Sequence, residues 1–257
     1  MSLSSSPEIK NDSDLIVSDN IYSLTRKDLF FLKDIEYNVL KTKQIIFIRH
    51  GNSRCNSYKG TISQRRLDKN LLDSALTPLG RTQAENLRKE LWDIDTIDLV
   101  LSSPLSRAME TASIIFKNRK IKILDILAEV VGGWGDVGQL YENRLYRNTY
   151  LKNIVWDNSN KNYGVEDRWE KNNLWNFIDE GEFKDSRPYE SDESAKQRIH
   201  LFWKWVANYT EGRSRIAVVG HSKLFGRVEN AYGILLSRAK FINREFKNCE
   251  LVEINFN

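Results

Sequence analysis

Three stretches of this chain concentrate residues able to handle a phosphate dianion. In Ile45-Ile46-Phe47-Ile48-Arg49-His50-Gly51, an apolar run stops at a guanidinium, an imidazole and an unhindered backbone. In Ala217-Val218-Val219-Gly220-His221-Ser222, a second apolar run ends the same way. In Leu101-Ser102-Ser103-Pro104-Leu105-Ser106-Arg107, a third run leads into a helix start with an arginine in its first turn. A neutral imidazole is a nucleophile that an anionic ester does not repel, and its ordinary pKa of about 6.5 leaves much of it neutral at pH 7. An arginine offers a planar fork for phosphate oxygens, and a helix amino terminus offers unpartnered N–H groups. The chain has only three histidines. His50 and His221 follow strand-like runs. His200 lies beside Ile199 and Leu201 on an amphipathic stretch, where a packing or surface role is expected.

These groups can act together only if the chain brings their strand ends side by side. Short apolar runs bounded by polar breaks read as buried strands over 45–48, 98–101, 121–124 and 216–219, with a final strand over Leu251 to Phe256. Between them lie helical patterns. Thr77 and Pro78 open a helix whose buried face is Ala84, Leu87 and Leu91; Ser103-Pro104 repeats that chemistry for a helix running to about Lys117. Ser191 or Ser194 caps a helix carrying Ile199, Phe202, Trp203 and Val206, and a last helix runs from Ser222 to about Leu236. Strands alternating with helices predict an α/β fold with a largely parallel sheet, in which ligands sit beyond the carboxyl ends of the strands.

The remaining segments are read from composition. Residues 1–20 form a polar, Ser-rich tail expected to be disordered. Residues 21–43 form an amino-terminal extension, with Thr25 to Leu40 expected as a helix outside the main domain. Residues 56–73 read as a basic loop. The main domain covers 44–257, interrupted at about 139–190 by a long aromatic-rich insertion, which would form a lid or a small subdomain. A formal charge of +4, from 39 Lys plus Arg against 35 Asp plus Glu, is too small to argue for nucleic acid. Cys55 and Cys249 are too few for a disulfide framework and no Cys/His ligand spacing appears. No apolar run approaches a membrane span and no signal-peptide core is present, so a cytoplasmic or nuclear protein is expected.

Four blocks of this sequence, in order, resemble the histidine phosphatase superfamily, the phosphoglycerate mutase-like fold. They are Arg49-His50-Gly51-Asn52-Ser53-Arg54-Cys55-Asn56, Leu76-Thr77-Pro78-Leu79-Gly80-Arg81-Thr82-Gln83-Ala84, Ser102 to Ala112, and Ala217 to Ser222. The spacing is most similar to the plant and fungal mutase-like phosphatase branch. The resemblance implies a three-layer α/β/α architecture and a phosphatase acting on a small phosphorylated molecule without metal or organic cofactor. It implies that His50 becomes phosphorylated, that Arg49, Arg107 and His221 hold the phosphoryl oxygens, and that Asn56 lines the pocket. The family's proton donor follows a strand in a Leu-x-Glu context, here Leu127-Ala128-Glu129, with Asp136 as a second candidate. A mutase-type isomerase and a catalytically weak phosphate-binding regulator are the competing functions. Arg54, Lys59, Arg65, Arg66, Lys223 and Arg227 flank the two histidines. They would favour a polyanionic substrate if they face the pocket, and are otherwise a solvated basic rim.

Overall fold

The computed structural model describes residues 21–138 (apart from 25, 27, 28 and 30), 154–156, 183–184, 187–226 and 246–257. The expected tail over 1–20, most of the insertion, and the continuation of the last helix beyond Gly226 lie outside them.

Nine strands and six helices are described. The strands are β1 (Ile21–Leu24), β2 (Gln44–Arg49), β3 (Leu99–Ser102), β4 (Ile121–Ile123), β5 (Ile154–Trp156), β6 (Phe183–Lys184), β7 (Arg187–Pro188), β8 (Arg215–Gly220) and β9 (Leu251–Phe256). The helices are α1 (Asp34–Leu40), α2 (Ile62–Leu67), α3 (Pro78–Glu90), α4 (Ser106–Ile115), α5 (Asp192–Tyr209) and α6 (Ser222–Gly226). Seven strands form one sheet in the order β1-β9-β2-β8-β3-β4-β5. From β2 to β5 every pairing is parallel; β9 runs antiparallel to β2, and β1 lies parallel to β9.

The apolar runs are explained by burial on both faces of this sheet. Successive strand residues point to opposite sides. Ile45, Phe47, Ile216 and Val218 join one core with residues of α1 and α5, while Ile46, Ile48, Ala217 and Val219 join another with residues of α3 and α4. A strand covered on both sides needs apolar residues at every position rather than at alternate ones. The result is the three-layer α/β/α architecture with a mostly parallel sheet.

Three sequence expectations need correction. The amino-terminal extension is not one helix outside the domain: Ile21–Leu24 is a strand, the helix is confined to Asp34–Leu40, and Leu29, Leu32, Tyr37 and Leu40 are buried in the core shared with Phe47 and Trp203. The span 25–40 lacks a single helical period because Leu29 and Leu32 enter the core from turns before the helix, whereas Tyr37 and Leu40 enter it from the helix itself. The basic loop contains α2, opened by a reciprocal capping box in which Thr61 and Gln64 bond to each other's backbone N–H groups. That Thr-x-x-Gln signal was present in the sequence. Finally, α4 begins at Ser106 rather than at Pro104, because its amino-terminal cap comes from elsewhere in the chain, as described next.

Candidate active site

Four adjacent parallel strands, β2, β8, β3 and β4, end on the same edge of the sheet. His50 follows β2 and His221 follows β8. Ser103 and the start of α4 follow β3, and Glu129 lies shortly beyond β4. Neighbouring strands are about 4.8 Å apart, so residues far apart in sequence meet here. The imidazole centroids of His50 and His221 are 5.1 Å apart, and the backbone N–H of His50 donates to the carbonyl of Gly220 at 2.9 Å.

The hydrogen bonds of His50 assign its tautomer. Nδ1 lies 2.7 Å from the carbonyl of Gly51, an acceptor only, so Nδ1 carries the proton. Nε2 receives the Nε–H of Arg107 at 3.2 Å, which requires a lone pair there. Burial, and then the charges of Arg107 and Arg49, hold the pKa of this imidazole well below the usual histidine value. His50 is therefore a buried, neutral base whose unprotonated nitrogen faces a guanidinium.

Glycine is required where the first two motifs cross. A Cβ on Gly51 would stand 2.4 Å from the carbonyl oxygen of Gly80, and one on Gly80 would stand 2.0 Å from that of Asn52. The loop carrying His50 and the first turn of α3 thus touch backbone to backbone. On the other side, the Gly51 N–H donates to the Thr111 hydroxyl at 3.0 Å, and that hydroxyl donates to the Arg107 carbonyl at 2.7 Å. The nucleophile loop and the arginine helix are joined through one oxygen.

Arg107 is buried, and all three of its guanidinium nitrogens are engaged. Besides His50, it reaches the Gly135 carbonyl at 2.7 Å and the Asp136 carboxylate at 3.3 Å. Asp136 also accepts from Lys223 Nζ at 3.2 Å and from the Gly132 N–H at 3.1 Å. Burial alone would raise this carboxyl, but Lys223, Arg107 and the Gly132 N–H outweigh it and hold Asp136 below its ordinary range. Glu129 differs. Its carboxyl is buried against the Val130 and Leu224 N–H groups at 2.9 and 3.0 Å. Burial raises its pKa and the charge of Asp136 adds to this, against the opposing pull of Lys223 and Arg107. Of the two acids considered from sequence, Glu129 is the one biased toward keeping its proton.

His221 is buried with Nε2 2.7 Å from the Ser103 hydroxyl oxygen, and among the described residues Nδ1 has no hydrogen-bond partner. Burial, followed by the charges of Arg107, His50, Arg49 and Lys223, drives its pKa well down, so it is neutral as well. Arg49 donates to the Phe246 carbonyl, with its charge felt at both imidazoles. Asn56 accepts the N–H and hydroxyl of Ser53 at 3.1 and 2.9 Å. Asn248, which touches Asn56 at 3.5 Å, donates to the His50 carbonyl at 3.0 Å. Lys223 faces the site through Asp136. Arg54 and Lys59 are exposed, Arg65 and Arg66 half-buried, and Arg227 lies outside the described residues. His200 stacks on Phe31 with centroids 3.8 Å apart, the expected packing role.

Sequence reasoning missed several residues that build the site. Asp73 receives the Ser106 N–H and hydroxyl, each at 2.8 Å, and so caps α4 from 33 positions away. Ser103 was read only as a helix-start residue, yet it is the partner of His221. The buried pair Arg198–Glu190 holds the segment around Glu129. Among the described residues no helix is long and apolar enough to cross a membrane, and no cluster of three His, Cys, Asp or Glu is grouped to hold a metal ion.

The curated relative "Probable 2-carboxy-D-arabinitol-1-phosphatase" of Arabidopsis thaliana is 34% identical over 89 residues, which is 35% of this chain but 17% of that protein's length. The alpha-ribazole phosphatase of Shigella flexneri has a similar fold, with a TM-score of 0.50 at 20% identity over 83% of this chain and 91% of its own. A chain from Escherichia coli K-12 gives the same score and identity over 84% of this chain. The sequence profile of the histidine phosphatase superfamily (branch 1) matches residues 45–173, half of the chain, a span that contains His50, Arg107 and Glu129. The chain belongs to the histidine phosphatase superfamily.

Proposed function

We propose that this protein is a phosphomonoesterase that works through a phosphohistidine on His50 Nε2. The observation that carries the reading is the setting of that nitrogen. Its ring is held neutral, its other nitrogen is pinned to the Gly51 carbonyl, and a guanidinium stands 3.2 Å from its lone pair. Phosphoryl transfer asks for an in-line nucleophile and for charge stabilisation on the equatorial oxygens. Arg107, Arg49 and Asn56 would hold those oxygens. The Ser103 hydroxyl accepts the Leu105 N–H at 3.2 Å, which frees its own proton for His221 Nε2. His221 Nδ1–H is then a neutral donor to the phosphoryl group. Its burial among cations supports this neutral form.

Glu129 would protonate the leaving alkoxide and, once ionised, activate the water that hydrolyses the phosphoenzyme. Asp136, low in pKa and paired with Arg107 and Lys223, is a poor donor. In the free protein it neutralises charge that an incoming dianion takes over.

The test is acid-labile phosphate trapped on the denatured protein after brief incubation with labelled phosphate esters. The panel covers sugar phosphates, nucleotides, inositol phosphates, phosphopeptides, and 2-carboxyarabinitol 1-phosphate, for which the Arabidopsis relative is named. Wild type should give label and product, and His50→Ala neither. Hydrolysis that persists in His50→Ala would overturn the reading.

A further inference from the structure

We infer that Arg198 and Glu190 are positioning residues for Glu129, holding its loop so that the carboxyl proton meets the leaving-group oxygen; this rests on the phosphomonoesterase reading above. Arg198 lies on α5, buried, and its Nε and Nη2 make two parallel bonds to Glu190 at 2.8 and 2.7 Å. Its remaining nitrogen, Nη1, donates to the carbonyls of Ile126 and Ala128 at 2.8 and 2.9 Å. Glu190 completes the grip: its backbone N–H donates to the Val131 carbonyl at 2.9 Å, and its carboxylate accepts the Val131 N–H at 3.3 Å. The Ser194 hydroxyl braces the same carboxylate at 3.3 Å. The pair therefore fixes the peptide group immediately before Glu129 and the residue two places after it. The Glu129 carboxyl meanwhile rests on the N–H groups of Val130, Leu224 and, at 3.4 Å, Lys223.

A buried ion pair is an inefficient way to hold a core together, since apolar residues of similar volume often do as well or better. A forked guanidinium does what they cannot: it fixes two carbonyls and a carboxylate in one plane. Proton transfer has that geometric demand. As His50 Nε2 bonds to phosphorus, the electron pair of the breaking P–O bond passes to the leaving oxygen, which takes the proton from Glu129. An acid displaced by about 1 Å loses much of its effect.

The experiment compares wild type, Glu129→Gln, Arg198→Lys and Glu190→Gln, as full chains, on two substrates. One is 4-nitrophenyl phosphate, whose phenolate departs without a proton; the other is the alkyl phosphomonoester that wild type hydrolyses fastest. The readout is kcat/KM, which reports formation of the phosphohistidine and not its hydrolysis. All three variants should lose about 10²-fold or more on the alkyl ester and less than about fivefold on 4-nitrophenyl phosphate. A purely structural role would lower both substrates equally. Equal losses, or none, in Arg198→Lys and Glu190→Gln overturn the inference while a leaving-group-dependent Glu129→Gln leaves the reading of the site standing. If Glu129→Gln itself shows no such dependence, the role of Glu129 falls and this inference with it. Should Arg198→Lys not fold, Glu190→Gln decides the matter alone.

Discussion

Two imidazoles buried beside two guanidinium groups take up protons only at a pH well below that of a free histidine. Burial is the larger cause at His50 and His221, and the neighbouring cations reinforce it. Glu129 is shifted the other way, held toward its protonated form by burial and by Asp136. On the proposed mechanism the reactive form has His50 neutral and Glu129 protonated. The acid limb of kcat/KM for an alkyl ester should then lie below the ordinary histidine range, and the basic limb above the ordinary carboxylate range. Asp136→Asn removes an anion that raises Glu129 and releases Lys223 from its pairing, and both changes favour ionised Glu129. The basic limb should move to lower pH in that variant, measured as a pH profile on the alkyl ester. A limb that stays put or moves up would remove Asp136 from this role.

At the scale of elements, α4 and the His50 loop depend on contacts that no local rule supplies. Leu105, at the amino-terminal cap position of α4, makes no side-chain capping bond, and Asp73 does that work from a distant turn. Asp73→Ala leaves a buried N–H and hydroxyl unsatisfied, and should cost about 2–3 kcal/mol in urea denaturation. The same substitution should lower kcat, because Arg107 sits in the turn that Asp73 anchors. Gly51→Ala and Gly80→Ala each drive a methyl into a backbone carbonyl that cannot rotate away. Each should destabilise by at least about 2–3 kcal/mol or fail to fold; a stable, active alanine variant at either site would mean that the two loops part more easily than their close approach implies. By contrast, the helix starts at Thr77 and Ser191 were legible in the sequence, because each cap is made within three residues of itself.

For the whole molecule, the segment before β2 belongs to the core. Leu29, Leu32 and Leu40 are each at most 3% exposed, and burying a leucine contributes about 1.5–3 kcal/mol. Three of them approach the entire stability of an ordinary domain, about 5–15 kcal/mol. A chain lacking residues 1–40 should therefore show no cooperative unfolding transition, whereas a folded, active truncation would make the segment an accessory. Stability should also fall in acid. The folded-state pKa values of His50 and His221 lie below their unfolded values, so below about pH 6.5 the unfolded chain binds protons that the folded chain excludes. Each such histidine steepens the loss by about 1.4 kcal/mol per pH unit. Glu129 has the opposite sign: its raised folded pKa contributes stability present at low pH, which is lost as pH rises through that value. Above the carboxylate range and below pH 6.5 the two histidines dominate. Denaturation at pH 7.5, 6.5 and 5.5 should show a drop of about 1–3 kcal/mol between the last two.

Sequence alone determined five of the nine described strands, the starts of α3, α5 and α6, the parallel α/β class, and the placing of His50, Arg107 and His221 just beyond strand ends. Those features follow from apolar periodicity and capping, which act over a few residues. Tertiary structure shifted Glu129 and Asp136 in opposite directions, made His221 neutral, moved the start of α4, and drew the amino-terminal segment into the core. Each of these turns on burial or charge supplied from far along the chain: Asp73 on Ser106, Leu224 on Glu129, Ser103 on His221. Periodicity says which face of an element is apolar. What lies against that face, and so what a buried charge or proton costs there, exists only once the chain has folded.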